Sequence, residues 1–153
     1  MKIIEVGQKA PEFTLLDTLE NPVHLSDFRG NKVLLSWHPL AFTGVFTDQM
    51  RSLERNKEVF KRLNTVPLGI SVDPSASKHA WAAVLSIKET LLLSDFWPHG
   101  KVAQEYGIFI EDWGTSGRAN IIVDEKGIVR WVKQYETSEL PDIDEVISAL
   151  KKI

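Results

Sequence analysis

The chain has 153 residues, 43% hydrophobic and 25% charged, with no cysteine and a formal net charge of −3. That balance is an ordinary globular one, long enough for a hydrophobic core, and predicts one domain over residues 1–153. No Lys/Arg run exceeds two residues, and no apolar stretch approaches the roughly 20 residues that span a bilayer, so nucleic-acid and membrane partners have no footprint.

Met1-Lys2-Ile3-Ile4-Glu5 lacks the apolar region of a signal peptide, and the expectation is a cytoplasmic protein. Phe13-Thr14-Leu15-Leu16 reads as a short strand. Val23-His24-Leu25-Ser26 reads as its hairpin partner across Glu20-Asn21-Pro22. Lys32-Val33-Leu34-Leu35-Ser36-Trp37 is a nearly continuous apolar run before Pro39, the pattern of a buried central strand. From about Thr47 to Leu63 the spacing turns helical, with Met50, Leu53, Phe60 and Leu63 on one face. A second strand–helix unit follows: Val66 to Val72 extended, a turn at Asp73-Pro74-Ser75, then a helix from Ala76 to about Leu85.

Leu91 to Ser94 and Gly107-Ile108-Phe109 bracket a short helix at Lys101 to Glu105. Residues 119–132 read as a hairpin with its turn at Asp124 to Gly127. A helix from about Pro141, striped by Ile143, Val146, Ile147 and Leu150, closes the chain. Two β–α units, a hairpin and a final helix follow the order of the α/β thioredoxin arrangement. Strand–helix alternation alone fits many α/β folds, and the motif at 37–49 narrows the choice. A mixed central sheet would be flanked by helices on both faces, with an N-terminal β-hairpin beside it.

The segment that carries chemistry is Trp37-His38-Pro39-Leu40-Ala41-Phe42-Thr43-Gly44-Val45-Phe46-Thr47-Asp48-Gln49. It resembles the peroxiredoxin active-site signature, Pro-x-x-x-Thr/Ser-x-x-Cys, with Pro39 and Thr43 in register and Phe46 where the cysteine belongs. The likeness extends to the opening Val6 to Phe13 with Leu25 to Gly30, which resembles the alkyl hydroperoxide reductase/thiol-specific antioxidant family. Leu93 to Gly100 with Ala103, Tyr106 and Gly107 is similar to its one-cysteine, alkyl hydroperoxide reductase E-type branch. Gly117 to Asp124 resembles the family's arginine-bearing strand.

The resemblance implies a division of labour. A cysteine at position 46 would lie in the first turn of a helix, where free N–H groups and a cation lower a thiol's pKa and make the thiolate that attacks peroxide. Arg118 matches the residue that supplies the cation, and Thr43 the hydroxyl that bonds the peroxide. Pro39 matches the residue that shields the site, and Gln49 a side chain bridging to the arginine. Phe46 has no nucleophilic or ionisable atom, and no cysteine exists elsewhere to replace it. The expectation is that its ring plugs the peroxide cavity, buried against Pro39, Thr43, Trp37 and Arg118. Truncation to alanine would then cost roughly 3–5 kcal/mol.

Taken without the resemblance, these residues read more blandly. Arg118 could pair with Glu111 or Asp112 at a strand edge, Thr43 could be a helix cap and Gln49 a surface residue. The four histidines show no ligand spacing, so no metal and no cofactor is expected. Of the five tryptophans, Trp37 and Trp113 are candidates to line the site, while Trp81 and Trp97 suit core or interface. Surface tryptophans enrich interfaces, which raises a homodimer as an expectation. Two functions stay open. One is a pseudoenzyme of the peroxiredoxin type with a binding or regulatory role. The other is a thiol-dependent peroxidase for hydrogen peroxide or alkyl hydroperoxides whose cysteine was replaced artificially.

Overall fold

The computed structural model describes residues 2–153. The apolar run 32–37 forms β3 (Lys32–Trp37), and five of its six residues are fully buried. It lies between β4 (Thr65–Ser71), paired in parallel, and β8 (Arg118–Val123), paired antiparallel. β5 (Leu91–Ser94) extends the sheet beyond β4. β9 (Val129–Tyr135) closes the other edge as the expected hairpin partner of β8, with Ile121 opposite Val132. The N-terminal hairpin of β1 (Thr14–Leu16) and β2 (Pro22–His24) joins through β5, giving the seven-stranded order β2-β1-β5-β4-β3-β8-β9. Leu34 faces Ile122 across the β3–β8 pair, so both belong to one sheet.

Side-chain alternation along β3 divides the core. Val33, Leu35 and Trp37 enter a cluster with Phe13, Ile70, Ile121 and Tyr106, on the face covered by α4 (Lys101–Glu105). Leu34 points to the other face and meets Met50, Trp81, Ile122 and Val146. That face is covered by α1 (Gly44–Arg55), α2 (Lys57–Arg62), α3 (Ser75–Leu85) and α5 (Ile143–Lys151). Gly69 on β4 lets α1 approach the sheet: a Cβ there would lie 2.4 Å from Met50 Sδ.

Several boundaries differ from the sequence reading. The helix expected over 47–63 begins at Gly44 and breaks at Asn56, whose side-chain amide donates to the Ser52 carbonyl at 2.7 Å and competes with helix continuation. β2 stops at His24, because Leu25–Phe28 is a 3₁₀ turn. Leu25 is buried there and the Asp27 carboxylate accepts from the His24 N–H at 3.0 Å. The final helix starts at Ile143, with Asp142 as its cap, its carboxylate accepting from the Asp144 N–H at 3.0 Å. Phe109 belongs to a separate two-stranded sheet of β6 (Phe109–Ile110) and β7 (Thr115–Ser116). The Ser116 hydroxyl donates to the His38 carbonyl at 3.1 Å, which ties that small sheet to the end of β3.

Candidate active site

The site lies where β3 ends and α1 begins. Between them the loop at 38–43 turns sharply, with Phe42 in the left-handed region at φ 64°. The Asp73 carboxylate accepts from the Ala41 N–H at 2.8 Å, and the Thr43 hydroxyl donates to the Leu40 carbonyl at 3.1 Å. This places Phe46 third in α1, among the N–H groups that lack intrahelical acceptors.

Arg118, at the start of β8, is 1% exposed. Its guanidinium carbon lies 4.0 Å from the centroid of the Phe46 ring, a cation–π contact. One terminal nitrogen donates to Gln49 Oε1, and the other donates to the Thr137 carbonyl at 2.8 Å. Gln49, buried on α1, donates in turn to Ser36 Oγ at 2.8 Å and to the Trp37 carbonyl at 3.3 Å. Among the described residues no carboxylate reaches Arg118, so the strand-edge pairing with Glu111 or Asp112 does not form. Burial lowers the guanidinium from its ordinary value to about 10, which leaves it cationic at neutral pH.

Phe46 is half-buried, and a cleft of about 440 Å³ remains beside it, walled by Pro39, Leu40 and Trp113 and edged by Thr115, Thr137 and Ser138. The ring therefore covers the arginine without filling the cavity, which corrects the expectation of a full plug. Thr43 is exposed, so Phe46 does not cover it either. Trp113 stands at the cleft, 61% exposed. Trp37 does not: its ring lies in the opposite core cluster, 6.0 Å from Tyr106, because it alternates with Ser36 along β3. Ser36, Thr115 and Thr137 were not singled out from sequence. Thr137 contributes a backbone carbonyl, which every residue has.

A second buried cation sits nearby. Lys78 of α3 donates to the carbonyls of Leu93 at 2.9 Å and Gly69 at 3.2 Å and to Ser71 Oγ at 3.0 Å, with His38 Nε2 at 3.4 Å. Ser71 Oγ donates on to the Asp73 carboxylate at 2.7 Å. Burial lowers Lys78 from 10.5 to about 7 and holds His38 well below its usual value. Among the described residues no three metal-ligating side chains cluster.

A helix N-terminus and a buried arginine thus converge at the end of the central strand of a thioredoxin-type sheet. The sequence model of the AhpC/TSA family matches residues 6–132, and the chain belongs to that family. It is 39% identical over 141 residues to alkyl hydroperoxide reductase E of Mycobacterium tuberculosis, covering 92% of each chain. It is 34% identical over 155 residues to a peroxiredoxin of Thermoplasma volcanium, covering 98% of this chain and 75% of that one. The crystal structure of reduced 2-Cys peroxiredoxin from Plasmodium vivax superposes with a TM-score of 0.84 at 28% identity, over 95% of this chain and 80% of that chain.

Proposed function

We propose that this chain is a peroxiredoxin-family protein without thiol peroxidase activity, serving as a binding or regulatory module. The observation that carries this reading is the absence of any cysteine, with Phe46 standing over Arg118 at the nucleophile's position. Peroxide reduction by this family needs a thiolate to attack the O–O bond, and neither phenyl nor guanidinium can do so. In this reading Arg118 keeps its charge and Gln49 keeps it oriented. Pro39, Trp113 and Phe46 form the cleft wall, with Thr43 at its rim. The exposed rings of Trp113, Phe42 and Trp97 support a homodimer as part of the same proposal.

The test is peroxide consumption by the metal-stripped native protein with a thiol reductant. Hydrogen peroxide and an organic hydroperoxide should decay no faster than in buffer plus reductant. Turnover above that background would overturn the reading.

A further inference from the structure

Arg118 and the cleft beside Phe46 together describe a ligand that the chain's own residues do not supply. Of the five N–H groups of the guanidinium, two are engaged among the described residues, by the neutral oxygens of Gln49 and Thr137. Nε has no partner among the described residues. A cation so deeply buried is ordinarily paired with an acid. Thr115, 5% exposed at the cleft edge, also has an unpartnered hydroxyl oxygen. The cleft walls of Pro39, Leu40, Phe46 and Trp113 are apolar, two of them broad aromatic faces. Its volume of about 440 Å³ suits a small organic molecule.

Resting on the proposed loss of peroxidase activity, we infer that this cleft binds a small aromatic monocarboxylate. The ring lies between Trp113 and Phe46, and the carboxylate takes the free N–H groups of Arg118. Phe46 now occupies the face of the guanidinium. A carboxylate forms charge-assisted, two-pronged hydrogen bonds that a phenyl face cannot match, so it displaces the ring. Phe46 then packs on the body of the ligand. The residue that removed the nucleophile thereby becomes a movable wall of the binding site.

The experiment is calorimetric titration of the native protein with 2-naphthoate and with the neutral 2-naphthylmethanol. Naphthoate should bind roughly tenfold tighter or better, the worth of one charge-assisted contact. Arg118→Met should erase that preference. Phe46→Ala uncovers the guanidinium without touching its other partners but also removes one wall of the cleft. It should therefore weaken the alcohol more than naphthoate and widen the acid-over-alcohol ratio, which keeps the test open if the Arg118 variant does not fold. Equal affinity for acid and alcohol, an acid-over-alcohol ratio in Phe46→Ala no larger than the native one, or no binding to folded native protein at millimolar ligand would each overturn the inference. None of those results bears on peroxide turnover, so a failure here stays distinct from a failure of the proposed function.

Discussion

Arg118 and Lys78 are both buried cations on the helix-covered face that holds α1 and α3, yet the chain treats them differently. Lys78 is enclosed by carbonyls and a serine hydroxyl drawn from the adjacent strands β4 and β5, and burial brings it to about 7, near neutrality. Arg118 is held by two neutral oxygens and an aromatic face, and at about 10 it stays charged. A lysine can shed its proton to escape desolvation, whereas a guanidinium largely cannot. Keeping an arginine at the helix mouth therefore fixes a positive charge against Phe46, the position that has no thiol in this chain. The lysine is a structural pin whose charge is negotiable.

The largest expected effect separates the two cations by chemistry. In a Phe46→Cys background, adding Arg118→Met should lower the rate of hydrogen peroxide reduction on the order of 10²-fold, the usual loss for a transition-state donor. Lys78→Met in that background should change the rate far less, since Lys78 makes no hydrogen bond to Arg118 or Gln49. Comparable losses in stopped-flow assays would make the arginine another structural pin.

Next comes pH dependence. The unfolded chain keeps the Lys78 proton up to 10.5, while the folded one releases it near 7, so the unfolded state binds more protons between those values. Stability should therefore rise from pH 7 towards 10, by on the order of 3–5 kcal/mol from this residue. Asp95, pushed up to about 6 by burial, acts in the opposite sense between 3.8 and 6, so the slope is read above pH 7. Urea unfolding of Lys78→Met should show that slope flattened. An unchanged slope would mean that Lys78 stays charged like Arg118.

Phe46→Ala should cost about 1–3 kcal/mol in the same assay. That is less than a core phenylalanine, because the ring is half-buried and its contact with Arg118 is worth about 0.5–1 kcal/mol. A loss of 3–5 kcal/mol would restore the full plug. Smallest of all, Thr43→Val should shift stability by no more than about 0.5 kcal/mol, since the residue is exposed and caps no N–H with its side chain.

Much of this is legible in the sequence alone. The run at 32–37 announced its burial on both faces, and Asp124 to Gly127 announced the β8–β9 turn. The resemblance placed Phe46 against Arg118, which it touches, and against Trp37 and Thr43, which it does not cover, and it gave Gln49 as the arginine's partner. What stayed hidden follows from tertiary context. A continuous apolar strand masks its own alternation, so Trp37 could not be assigned to the face away from Arg118. Asn56 breaks a helix through one side-chain hydrogen bond that periodicity does not register. Lys78 looks in sequence like any solvated helix lysine, and only the assembled carbonyls of β4 and β5 reveal its burial. The Thr137 carbonyl could not be foreseen either, because only the return of the chain after β9 brings it to Arg118.

The proposed function requires that this chain keep the family frame around position 46 without a nucleophile there. Peroxide consumption by the native protein and by Phe46→Cys, measured side by side, tests it most directly. The native chain should match buffer plus reductant. The variant should consume peroxide through a single thiol whose pKa lies below the ordinary value of about 8.5, lowered by the helix N-terminus and Arg118. Consumption by the native chain, or a folded Phe46→Cys protein whose thiol is both inert and unshifted, would contradict the account.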